Sequence, residues 1–109
     1  MGTVKYDFTS LQRFAEQVMI QAGLSEEASV VFADSLMKAE GRGVTSHGLT
    51  RLSTYAKRVE QGLVAGNVRP EILEDGKTIL KVDGKNGQGS WIASCVMDMC
   101  IERAREYSS

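Results

Sequence analysis

Ser46-His47-Gly48-Leu49-Thr50-Arg51-Leu52-Ser53-Thr54-Tyr55-Ala56-Lys57-Arg58-Val59-Glu60-Gln61-Gly62 reads as one helix with two unlike faces. At about 100° per residue, Leu49, Leu52, Ala56 and Val59 gather on one side. His47, Arg51, Tyr55 and Arg58 fall within roughly a quarter-turn of one another on the opposite side. Thr45 or Ser46 supplies the cap and Gly62 marks the end. The apolar side needs partners, and the flanking sequence offers them in both directions.

Upstream, Thr3-Val4-Lys5-Tyr6-Asp7-Phe8 alternates as a short half-buried strand does. Thr9 and Ser10 then offer caps for a helix to about Ala22, with Leu11, Phe14, Ala15, Val18, Met19 and Ala22 as its apolar stripe. Gly23 closes it as a left-handed C-cap. Ser25 caps a second helix whose first turn carries Glu26 and Glu27, where the helix dipole favours them. Ala28, Val31, Phe32, Leu36 and Ala39 form its stripe, and Gly41 and Gly43 stop it. The two helices read as an antiparallel hairpin.

Downstream, a loop from Ala65 to Pro70 leads to two short strands, Glu71–Glu74 and Thr78–Val82, joined at Asp75-Gly76 as a two-residue turn. Asp83-Gly84-Lys85-Asn86-Gly87-Gln88-Gly89 follows, and then a helix from Ser90 to about Tyr107. Trp91, Ile92, Cys95, Val96, Met99 and Cys100 give that helix an apolar face too wide for one small hairpin to cover. The predicted class is α+β: three helices, then a β-hairpin and a long helix belonging to a larger fold. Because Ser108-Ser109 comes directly after a helix, the pattern reads as a sheet domain cut short.

The bulk numbers exclude several functions. At 42% apolar and 25% charged residues, the 109-residue chain matches a soluble globular protein with a small core. A net charge of −1 provides no basic field for nucleic acid or an anionic membrane. A small anion could be held only by individually placed arginines. Cys95 and Cys100, five apart on one helix, are too separated to bridge and lack zinc-site neighbours, so they read as buried free thiols in a reducing compartment. No leader or membrane-spanning run is expected, which makes the cytoplasm the default location.

The polar stripe of the quoted helix has a chemical use. An arginine holds a carboxylate through two parallel charge-assisted hydrogen bonds. A histidine one turn away exchanges a proton with a carbonyl or hydroxyl on the same ligand, and a tyrosine adds a hydrogen bond and a flat wall. Reduction of a 2-keto acid needs this set, because the carbonyl oxygen must gain a proton as hydride reaches the carbon. A lone histidine near a helix start is nevertheless often structural or simply exposed, and arginines alone read as surface residues. Spacing by itself leaves both readings open.

Arg42-Gly43-Val44-Thr45-Ser46-His47-Gly48-Leu49-Thr50-Arg51-Leu52, continued by Tyr55, Arg58, Gly62 and Pro70, resembles the N-terminal signature of the malate/L-lactate dehydrogenase family. Ala39-Glu40 and the Asp83–Gly89 loop extend the resemblance over nearly the whole chain. It implies a non-Rossmann, NAD(P)-dependent oxidoreductase that interconverts a small 2-keto acid and 2-hydroxy acid and works as a homodimer. By resemblance, His47 is the proton donor, Arg51 binds the substrate carboxylate, and Ser46 and Tyr55 line the substrate pocket. Arg42 and Arg58 stay outside the core site. Residues 1–66 correspond to a helical substrate-side and dimerisation segment, and residues 67–109 to the start of a cofactor-binding α/β domain.

In that family the contacts to NAD or NADP lie mainly beyond Ser109, so no cofactor-binding residue is assigned. The glycine-rich loop departs from the Gly-x-Gly-x-x-Gly of dinucleotide folds and has no Walker lysine. It reads as a turn with positive φ at several positions and close backbone approach. In the same way, Trp91, Met97, Met99 and the cysteines read as a core stripe before they read as a ligand cavity. Two further functions remain. One is a non-catalytic helical binding module of helix-turn-helix type, which the charge disfavours. The other is a regulatory fragment that dimerises with a complete dehydrogenase.

Overall fold

The computed structural model describes residues 8–41, 51–77 and 79–107. Helix α1 spans Phe8–Ala22 and α2 spans Glu26–Gly41. The turn between them is built from local signals. Gly23 takes φ +116° and its N–H donates to Ile20 O, while Leu24 N–H reaches back to Met19 O at 3.0 Å. These are the paired bonds of a Schellman cap, and the following Leu24 is buried beside Met19. Ser25 Oγ then accepts the Ala28 N–H at 3.3 Å and starts α2. The predicted helical hairpin, its Gly23 C-cap and its Ser25 N-cap are present, whereas Thr9 and Ser10, expected as caps of the first helix, lie inside α1. Of the expected strand at Thr3–Phe8, only Phe8 is described, and it opens α1.

Two of the predicted stripes need correction. On α1, Ala15 and Met19 are buried, but Phe14 is 59% exposed. It stands about 100° round the helix from Ala15, on the shoulder of the stripe. On α2, Ala28, Phe32 and Leu36 are buried as expected, Val31 and Ala39 are half-buried, and Ser29, Ala33 and Met37 join the core. Small residues let helices approach closely, and a count of large apolar residues passes over them.

Helix α3 spans Leu52–Glu60, with Arg51 as its N-cap residue and no side-chain cap. The predicted start near Ser46, with Thr45 or Ser46 as cap, falls in residues 42–50, which lie outside the described ones. Leu52, Ala56 and Val59 are buried, as the periodicity requires. They join Ala15, Met19, Leu24, Ala28, Phe32, Ala33 and Leu36 in one cluster that also takes in Trp91. After α3 the chain crosses the α1–α2 turn. Ser25 N–H donates to Gly66 O at 2.7 Å, and a Cβ on Gly66 would come within 2.1 Å of Gly23 O. Only glycine fits this crossing.

Strands β1 (Glu71–Asp75) and β2 (Leu80–Asp83) form an antiparallel pair with a register shift between Ile72 and Glu74. Asp75 pairs with Leu80, so the connection has four residues and is not the two-residue Asp75-Gly76 turn expected. Asp75 Oδ1 accepts the Lys77 N–H at 3.1 Å, and Lys77 itself adopts φ 71°. This side-chain turn adds to a backbone bond across the connection, Gly76 N–H to Ile79 O at 2.8 Å. Every residue of β1 is exposed.

Helix α4 (Gly89–Tyr107) packs its first turns against α2. Only Trp91 is buried on it, where a six-residue apolar face was predicted; Met97 is 59% and Ile101 44% exposed. The cysteines are free thiols, as expected, but Cys95 is half-buried and Cys100 exposed. The radius of gyration, 16.2 Å, exceeds the ~13 Å of a compact 100-residue domain, in keeping with a hairpin and helix that carry little core of their own.

Candidate functional site

Of the four residues of the predicted polar stripe, Arg51, Tyr55 and Arg58 are described, and they stand together. The Tyr55 ring packs edge-on against Phe32 of α2, with centroids 5.2 Å apart at 75°. The guanidinium carbons of Arg51 and Arg58 each lie 5.7 Å from the Tyr55 ring centroid, within reach of cation–π attraction. Packing thus fixes the ring, and the ring holds two cations beside it. His47 and Ser46, as well as Arg42, lie outside the described residues.

Tyr55 also lines a cleft of about 190 Å³. Its other walls are Phe32, Ser35, Leu36 and Ala39 of α2, Ser90 of α4, and Gln88 just before α4. The lining combines apolar Phe32, Leu36 and Ala39 with a phenol, two hydroxyls and an amide, a pattern suited to a small, oxygen-rich ligand. Gln88 and Phe32 were not singled out as site residues from the sequence. The Phe32 contact arises from packing α2 on α3, and Gln88 sat in a loop read for its glycines.

The glycine-rich loop is a tight turn, with its positive φ values on Lys85 (52°) and Asn86 (59°), not on glycines. Gly87 N–H donates to Gly84 O, closing the turn, and Asp83 Oδ1 accepts the Lys85 N–H. Asn86 O and Nδ2 hold Ala65 N–H and Leu63 O, which pins the loop to the end of α3. A Cβ on Gly87 would meet Ile92 Cδ1 at 2.7 Å and Val68 Cγ2 at 2.9 Å. The space that a phosphate-binding glycine leaves for its ligand is filled here by the chain itself. The loop therefore does not fit a dinucleotide. It is the close-approach turn predicted, with the strained conformations shifted onto Lys85 and Asn86.

A second depression, about 930 Å³, runs between the start of α2, residues 67–70 and α4. Arg69 bridges it: one guanidinium nitrogen lies 2.7 Å from Glu27 Oε2, and the group sits 5.2 Å over the Trp91 ring. Trp91 Nε1–H donates to Val68 O at 2.7 Å. Cys95 and Met99 line this groove, whereas Met97 is exposed on α4. Burial pushes the Cys95 thiol pKa up, against the opposing pull of Arg69. Among the described residues no cluster of His, Cys, Asp and Glu could hold a metal ion, and no helix is long and apolar enough to cross a membrane.

Comparison with known proteins agrees with this geometry. Malate dehydrogenase of Pyrococcus abyssi is 32% identical over 93 residues, covering 85% of this chain and 26% of that protein. Ureidoglycolate dehydrogenase (NAD(+)) of Escherichia coli K12 is 30% identical over 105 residues, or 94% of this chain and 30% of the relative. The chain thus spans less than a third of these relatives' length. Among solved structures, malate dehydrogenase from Entamoeba histolytica superposes with a TM-score of 0.89 at 31% identity, over 97% of this chain and 30% of that one. The Pyrococcus horikoshii enzyme gives 0.90 at 28% identity, over 95% and 30%. The α+β class expected from the sequence is thereby established. The family model for malate/L-lactate dehydrogenase matches residues 6–109, and the chain belongs to that family.

Proposed function

We propose that this chain is the N-terminal part of an NAD- or NADP-dependent oxidoreductase that interconverts a small 2-keto acid and its 2-hydroxy acid. The observation that carries the reading is the Arg51–Tyr55 pair beside the cleft between α2, α3 and α4. Arg51 holds the substrate carboxylate, Tyr55 and Ser46 wall the pocket, and His47 donates a proton to the carbonyl oxygen on reduction and takes it back on oxidation. The nicotinamide supplies or accepts hydride. None of the described residues forms a cradle for it, so cofactor contacts are assigned to no residue of this chain.

The reading extends to organisation. Residues 1–66 serve the substrate side and dimerisation, and residues 67–109 begin a cofactor-binding domain. The enzyme is a cytoplasmic homodimer, and the 109-residue chain alone turns over nothing. Keto-acid-dependent NADH oxidation by that chain would refute the last point.

The test of mechanism uses the longest native polypeptide that carries this sequence. His47→Ala lowers kcat by ~10²–10⁴-fold, the usual worth of general acid catalysis. Arg51→Ala chiefly raises KM. A His47→Ala enzyme with near-normal kcat removes His47 from the mechanism, and an Arg51→Ala enzyme with unchanged KM removes the carboxylate clamp.

A further inference from the structure

Gln88 is a polar side chain only 8% exposed, placed where α4 begins and where the cleft beside Tyr55 closes. Its carbonyl oxygen accepts the Ile92 N–H at 2.9 Å, the first bond of the helix. Its side-chain Oε1 accepts the Trp91 N–H at 3.0 Å, so Gln88 caps α4. Glutamine is an unusual cap. Serine, aspartate and asparagine satisfy the same N–H groups with a shorter side chain. With Oε1 committed to the helix, what Gln88 has left to offer the cleft is the donor end of its amide. The bond to Trp91 also fixes which end that is.

We propose that Gln88 determines substrate specificity, its amide NH₂ donating to an oxygen on the substrate's side chain. The inference rests on the oxidoreductase reading above and deepens it. Arg51 is assigned the carboxylate shared by all 2-keto acids and cannot tell one from another. A buried donor can. It favours a substrate with an acceptor on C3 or C4, a hydroxyl or second carboxylate, and disfavours an alkyl chain of the same shape, which leaves the N–H unpaired.

Two pairs of shape-matched probes test this on the longest native polypeptide: oxaloacetate against 4-methyl-2-oxopentanoate, and hydroxypyruvate against 2-oxobutanoate. The wild type should prefer the oxygen-bearing member of at least one pair by kcat/KM. Gln88→Glu keeps an acceptor for the Trp91 N–H, and so the cap, but removes the donor. It should lower the polar-to-alkyl ratio roughly tenfold or more, with an unchanged Tm. Gln88→Met keeps the length without donor or acceptor, and its ratio should fall likewise; it decides the question if Gln88→Glu does not fold. A wild type that prefers both alkyl probes, or an unchanged ratio in the folded variants, overturns the role of Gln88 and leaves the reaction class standing. Failure to reduce any of the four probes overturns both.

Discussion

The two ends of this molecule are held by different forces. In the α1–α3 part, Ala15, Met19, Ala33 and Ser29 are completely buried, and the turn between α1 and α2 satisfies its own backbone groups. Beyond the start of α4, the hairpin and α4 are tied by ion pairs near the surface: Lys85 with Glu71 at 2.9 Å, and Arg103 with both Asp75 and Glu106. Trp91 is the only buried residue of α4. Burial is a stability term that persists in salt and costs several kcal/mol to remove, whereas exposed ion pairs are worth ~0–1 kcal/mol each and are screened. The cleft lies on the seam between the two regimes, with Tyr55 from the first and Gln88 and Ser90 from the second.

This contrast can be broken most directly in the core. Met19→Ala should destabilise the chain by ~2–5 kcal/mol in urea unfolding, the usual range for a buried large-to-small change. Ile101→Ala on α4 should stay within ~0.5 kcal/mol. Equal effects would mean that α4 is buried far more than its exposure indicates. A smaller effect is expected at the hairpin. Arg103→Ala removes its links to Asp75 and Glu106 and should cost ~1 kcal/mol or less, with the difference shrinking as salt is added. A salt-independent loss would show that the aliphatic stem of Arg103, not its charge, holds the hairpin to α4.

The finest comparison is within α4. The thiolate is the reactive form, and burial pushes the Cys95 pKa up. Iodoacetamide at neutral pH should therefore modify exposed Cys100 before half-buried Cys95, as peptide mass spectrometry would show. Reversal of that order would mean that Arg69 outweighs burial at Cys95.

What the sequence disclosed follows the range of each interaction. Gly23, Ser25 and the Leu52-Ala56-Val59 stripe act within one or two turns of chain, and their roles were readable. The four-residue turn was not, because Asp75-Gly76 fits a two-residue turn equally well until the Asp75 carboxylate is seen to accept the Lys77 N–H. Phe14 fitted a helical spacing yet is mostly exposed on the shoulder of α1. At the site, the grouping of Arg51, Tyr55 and Arg58 came from periodicity alone. Phe32 and Gln88 became visible only once α2, α3 and the start of α4 were brought together, since nothing local marks a glutamine as a helix cap facing a cleft.

Trp91 is the only tryptophan in the sequence. Its ring lies under Arg69, its N–H is bound to Val68 O, and its side chain closes the core against α2. These 109 residues therefore carry a single indole fluorophore, beside three tyrosines, at the joint between their two parts. Its emission reports whether α4 is seated, while circular dichroism reports the helices themselves. An emission change that precedes the loss of helix would time the undocking of α4 separately from the melting of the core.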